Sequence, residues 1–217
     1  FFGVTASNLR IAMAAGKASE PLAIRKVAVR PSLIPPGLGF RASALGGTAS
    51  GTVDLLGDVT VKVELKDVDL SQGNVKGFSG IDLAGKVNGS LDLTIPVVAM
   101  PGSKIKEPDL GQATGTFALE ASSLAINGGT VTVPMYGEPT QLDLPKVALG
   151  DIRAEIKFEK GQGAVERLGA KSADLELDAK GTLKLAKRIE YSEPSLDFRL
   201  KAEPEFKKRL GLIGAGL

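Results

Sequence analysis

The sequence predicts an all-β protein: an elongated, twisted, mainly antiparallel sheet, either open as a groove or closed as a sandwich, with little helix. Three observations carry this. The first is a recurring phrase, Gly85-Lys86-Val87-Asn88-Gly89-Ser90-Leu91-Asp92-Leu93, with counterparts at Gly47–Leu55 and Gly111–Leu119 and a partial copy at Ala179–Leu185. The shared pattern is Gly, any residue, small apolar, any, Gly, Ser or Thr, apolar, any, Leu. Alternate residues of a strand face one side, so both glycines and the apolar positions share a face. The second is a period-two run from Ile81 to Ile95, with Ile81, Leu83, Gly85, Val87, Gly89, Leu91, Leu93 and Ile95 on one side and Asp82, Ala84, Lys86, Asn88, Ser90, Asp92 and Thr94 on the other. The third is punctuation: 27 glycines and 12 prolines among 217 residues favour turns over helices.

Taken in order, strands are predicted at 4–13, 22–30, 38–45, 50–56, 59–66, 81–95, 114–121, 123–126, 130–134, 140–149, 152–158, 174–179, 182–187 and 196–202. Val59-Thr60-Val61-Lys62-Val63-Glu64-Leu65-Lys66 alternates in pure form, as do Ile152–Phe158 and Leu196–Ala202. Turns are predicted at Pro35-Pro36-Gly37, Gly46-Gly47, Gln72-Gly73-Asn74 and Gly161-Gln162-Gly163. Asn127-Gly128, between Leu124-Ala125-Ile126 and Val131-Thr132-Val133, reads as a hairpin turn. A turn of helix fits around Leu70-Ser71-Gln72, and a helix with Pro in its first turn fits Pro204–Leu210. Breaks at 101–111 and 134–139 are too short to be linkers, so residues 1–217 read as one β-rich domain. Half-polar strands imply one wet face and one apolar face. In the strand from Ile81 to Ile95, Gly85 and Gly89 lie on the apolar side, where they bend the strand or admit a close neighbour.

Composition excludes several functions. With no cysteine and no histidine, the chain lacks thiol chemistry, the commonest general base and the commonest metal ligand. A net charge of +2 and 5% aromatic residues give neither a field nor a stacking platform for nucleic acid. The glycine pairs open strands rather than helices, so no dinucleotide or phosphate loop is present. Asp174, Glu176 and Asp178 would line one strand face, without the loop glycine of a calcium site, and read as a solvated row. Lys207-Lys208-Arg209 reads as a solvated cluster, with anionic headgroups as the alternative contact. No catalytic residue, cofactor or metal is predicted.

The segment Gly80–Leu93, with Gly46-Gly47-Thr48-Ala49-Ser50-Gly51 upstream, resembles the N protein family of the bacterial type II secretion system. Leu22-Ala23-Ile24 to Pro31-Ser32-Leu33 and Leu196-Asp197-Phe198-Arg199-Leu200 leading to Phe206–Leu210 resemble it too. The same strand grammar is similar to the wider AsmA-like group of bacterial envelope proteins. The resemblance implies a periplasmic domain held at the inner membrane in the full-length protein, with an accessory place in secretion and other secretion-system components as partners. The wider group implies lipid handling along a hydrophobic β-groove, with lipid as the partner. No family catalytic residues carry over. The sequence holds no apolar run long enough to anchor it and stops where family members continue into another glycine-rich strand, so a fragment is expected.

Two functions follow as expectations: a non-enzymatic periplasmic accessory domain of the type II secretion system acting by protein or envelope contacts, or a lipid-binding or lipid-transfer module. A repetitive adhesin is a third, weakened by uneven repeat spacing. The candidate groove or core face is Ile81, Leu83, Gly85, Val87, Gly89, Leu91, Leu93 and Ile95. An open apolar trough favours lipid; a closed core favours a scaffold.

Overall fold

A computed structural model describes residues 3–11, 20–34, 36–99, 106–135 and 138–210. The strands are β1 (Val4–Ile11), β2 (Leu22–Leu33), β3 (Pro36–Ala44), β4 (Gly47–Asp54), β5 (Val59–Asp69), β6 (Ile81–Ile95), β7 (Val97–Ala99), β8 (Lys106–Pro108), β9 (Thr114–Met135), β10 (Glu138–Leu144), β11 (Val147–Glu159), β12 (Gln162–Lys171), β13 (Leu175–Lys184) and β14 (Glu193–Ala202). Helices are few: α1 (Val75–Ser79), α2 (Pro204–Leu210) and single 3-10 turns at Leu110–Gln112 and Ile189–Tyr191.

Twelve strands form one antiparallel sheet in the order β1-β2-β3-β4-β5-β6-β9-β11-β12-β13-β14, with β10 also on β9. Each strand pairs with its predecessor in sequence except at two places: the small β7–β8 hairpin intervenes between β6 and β9, and β11 pairs with β9 rather than with β10. β10 and β11 share one lane. Leu144 faces Gly129 and Val147 faces Ile126, so the register carries across the interruption at Pro145, which has no amide to donate. The sheet is open, with β1 and β14 as free edges, which settles the sequence alternatives in favour of an open sheet rather than a sandwich.

Register shifts interrupt several of the ladders, and two of the bulges are held by the same device. Lys66 and Asp67 together oppose Asn88; Asp67 takes a left-handed φ of 53°, and its amide donates to Asn88 Oδ1 at 2.8 Å. Ser123, at φ 52°, donates its amide to Asp151 Oδ1 at 2.9 Å. A bulge leaves one amide without its ladder partner, and each side chain supplies the missing acceptor. Gly85, opposite the second bulge, has φ 125°, and a Cβ there would lie 2.8 Å from the Leu124 Cα. Bending and close approach therefore both operate at Gly85.

The recurring glycine phrase marks close strand crossings. At Gly115 φ is 145°, and a Cβ would run into the Asp92 carbonyl. Gly51 lies opposite Phe40, whose ring would be 2.7 Å from an added Cβ. Gly163 lies opposite Phe158, with its ring 2.6 Å from such an atom. Large rings thus cover the missing side chains of the next strand.

Four local readings are corrected. Asn127-Gly128 is not a hairpin: β9 runs through it, because a register shift between Asp82 and Leu83 absorbs the extra residue while β6 pairs on both sides of it. Sheet pairing over 22 residues overrides the local turn preference, and the antiparallel partner of this end of β9 is β10, with Glu138 opposite Met135. The short turn of helix expected between Asp67 and Gly80 forms at Val75–Ser79 as α1, beyond Leu70-Ser71-Gln72, where the Asn74 side chain accepts from the Gly77 amide. The segments 174–179 and 182–187 are one strand, β13, with Gly181 inside it. Asp174 lies before β13, so only Glu176 and Asp178 share that strand face; the Asp174 carboxylate accepts from the Ala148 amide at 2.7 Å.

Replacing Gly115 by Ala is expected to destabilise the protein by more than about 1 kcal/mol, because both backbone angle and space oppose a Cβ. Gly89→Ala is expected to cost less, since its Cβ meets nothing nearer than 3.2 Å. Parallel urea titrations of the two variants measure the difference.

Candidate functional site

Directly opposed residues of antiparallel strands point to the same side of a sheet. Ile95, Leu93, Leu91 and Gly89 of β6 stand opposite Val59, Val61, Val63 and Leu65 of β5. Those in β5 stand opposite Val53, Gly51 and Ala49 of β4, and these opposite Leu38, Phe40 and Ala42 of β3. In the other direction Leu91 and Gly89 face Phe117 and Leu119, which face Ile156 and Ala154. Further pairs reach Ala170, Leu177 and Leu200. One apolar face therefore runs from β2 to β14.

That face is closed in one half and open in the other. Among the described residues every buried hydrophobic side chain lies at Leu93 or later. One cluster joins Leu93, Ala113, Phe158 and Leu185, with Leu110 from the 3-10 turn packed against it. A second joins Val147, Ala170 and Leu175 beneath Phe206 of α2. Among the described residues no large side chain is fully buried. A sheet covered by a second layer would bury its central residues. The accessible surface, 14403 Å² for 22.5 kDa, is about half as much again as the ~9,500 Å² of a compact monomer of that mass. On β2–β5, Val29, Phe40, Val53, Val61 and Val63 remain half-buried, and Leu38 is 46% exposed.

The eight residues read from the sequence all lie on β6, the strand dividing the two halves. Leu93 is buried, and Leu91 and Ile95 pack against its cluster, so this end belongs to a core. Ile81, Leu83, Val87 and Gly89 are half-buried, and Gly85 serves the bend. The reading did not include Phe40, Phe117, Leu119, Leu110 or Phe206. The first three follow only from register. Phe206 had a signal in the helix opened by Pro204, whereas Leu110 lies in a loop with no periodicity.

The other face is wet and charged. Ion pairs such as Lys62–Asp92 at 3.1 Å, Arg153–Glu120 at 3.4 Å and Lys187–Glu107 at 2.9 Å cross neighbouring strands or loops. Across β2–β5 a shallow trough of about 780 Å³ is lined by Lys26, Arg30, Arg41, Ser50, Thr52 and Lys62. The Ser71 hydroxyl and amide hold the Asp69 carboxyl below its usual range. Glu159 is lowered, and Lys157 raised, by their mutual hydrogen bond and charge. Among the described residues no polar side chain is buried, and no three acidic groups converge on a metal position. What the geometry offers chemically is apolar area.

The chain matches no known family model, no curated protein and no solved structure.

Leu93→Ala is expected to destabilise by about 2–4 kcal/mol, as in a packed core, and Val63→Ala by about 1 kcal/mol or less, as on a half-covered strand. Equilibrium denaturation separates the two. Melting temperature is expected to be flat from about pH 5 to pH 9. Lowered Asp69 and Glu159 lose their contributions only as pH falls into the carboxylate range, and raised Lys157 only as pH rises past the lysine range. A titration monitored by circular dichroism checks this.

Proposed function

We propose that this chain is a non-enzymatic lipid-binding module of the bacterial envelope, taking acyl chains against the open apolar face of β2–β6. The observation that supports it most is the burial pattern: the face is continuous, yet no hydrophobic side chain before Leu93 is buried among the described residues. Five strands at ~4.8 Å spacing give a contiguous apolar patch about 20 Å wide, and patches of this kind mark interaction or ligand-binding sites. An acyl chain fits such a face because it needs apolar contact without hydrogen-bond partners. The AsmA-like resemblance of the sequence agrees with this role, and with a periplasmic location at the inner membrane.

A second reading, an accessory domain of the type II secretion system, draws on the free edges. On β14, Phe198 is 60% and Leu200 45% exposed beside an unpaired ladder of backbone groups. An extended segment of a partner protein fits that edge by strand addition.

Native mass spectrometry of the gently purified protein tests both. Lipid binding predicts adducts of phospholipid mass, reduced about fivefold or more by Val63→Asp at the centre of the open half. A lipid-free chain that also fails to take up a fluorescent fatty acid would sink the lipid reading, and loss of a protein partner on Phe198→Asp would favour the second.

A further inference from the structure

We propose that the sheet end formed by the β2–β3 and β4–β5 turns inserts into the surface of a lipid bilayer, as the mouth through which acyl chains reach the open half of the apolar face. This rests on the lipid-binding reading above. Gly37 pairs with Asp54, which sets the two turns side by side, and the Leu55 amide donates to the Pro36 carbonyl at 2.9 Å. Four large apolar side chains project there: Leu33 is 84% exposed, Ile34 93%, Leu55 56% and Leu56 71%. Turn tips ordinarily carry Gly, Asn, Asp or Ser. This projection is held in place, because Asp58 Oδ1 accepts the Val97 amide at 3.1 Å.

The tips continue the apolar face. Leu33 opposes Pro36, and the next pairs inward include Pro31 with Leu38 and Leu38 with Val53. A lipid tail leaving the bilayer between these turns would meet apolar side chains without crossing a polar barrier. A second copy of the chain is a poorer occupant, since a standard interface buries ~800 Å² on each partner and four aliphatic side chains present less. A turn of two to four residues projects about as far as the 5–10 Å to which interfacial segments sink. Arg30 lies three residues behind Leu33, ~10 Å along the strand, but Asp54 and Asp58 stand at the same end and offset it. Insertion is therefore driven by apolar burial, with little demand for anionic headgroups.

The protein has no tryptophan, so a single introduced one is an unambiguous depth probe. Ile34→Trp and Leu56→Trp, mixed with phosphatidylcholine vesicles, are expected to shift to the blue and to be quenched by brominated acyl chains. Lys180→Trp on the wet face of β13 is expected to show neither. The double variant Ile34→Asp with Leu56→Asp should lower vesicle binding about tenfold or more at unchanged melting temperature. Loaded from detergent micelles, it should still show its bound lipid by native mass spectrometry. Unquenched tips overturn the proposal. So does binding that requires anionic lipid and survives the double variant, which would assign it to the cations of the polar trough. Loss of a dimer without loss of vesicle binding overturns it in favour of a second copy. Quenched tips on a chain that carries no lipid would leave docking intact and remove the lipid-binding reading; bound lipid with unquenched tips would do the reverse.

Discussion

A one-residue slip between any two neighbouring strands would turn valines and leucines to water and press lysines and glutamates onto the apolar side. The whole molecule depends on that not happening across ten successive pairings. Hairpins set the register locally: Ala44 with Gly47 and Glu159 with Gln162 close tight turns that leave no freedom to slide. Bulges threaten it, since each inserts a residue on one strand only. Asn88 and Asp151 meet that threat by accepting the orphaned amides of Asp67 and Ser123. The bulges then become fixed bends, and Val68 returns opposite Val87 on the correct side.

Given a single face, its covering decides where the protein is firm. The clusters around Leu93 and Phe158 at one end, and around Val147 and Phe206 at the other, give β6–β14 a closed core made of few residues. Among the described residues, strands β1–β5 have no such buried cluster. They are held by their ladders, by lateral contact between β-branched side chains, and by pairing to β6. This division of labour lets one half anchor the fold while the other presents apolar area. It also accounts for exposed Leu38 on a face whose equivalents in β9 and β11 are better shielded.

Much of the architecture was legible because the period-two signal is strong where one face is apolar and the other charged. The run Ile81–Ile95 is β6 to the residue, and Pro204–Leu210 is α2. Legibility failed where local chemistry and sheet pairing disagreed. Asn127 and Gly128 favour a turn, but β6 pairs around them, and a bulge satisfies both demands. The site was half legible. Alternation identified the β6 stripe, but Phe40 and Phe117 belong to it only through register. Leu93 is core because Ala113, Phe158 and Leu185 meet it from distant parts of the chain, which its own strand pattern does not reveal.

By itself the sequence determined the all-β class, the amphipathic strands and the absence of cysteine and histidine chemistry, because these follow from residue type and period alone. The tertiary structure decided which strands are neighbours, that the sheet stays open, and that, among the described residues, the buried clusters fall on β6–β14 and none on β2–β5. The reason is physical. Periodicity fixes the side of a strand to which a residue points, but burial depends on what lies above that side. Here the covering comes from a 3-10 turn that precedes β9 and a seven-residue helix that follows β14.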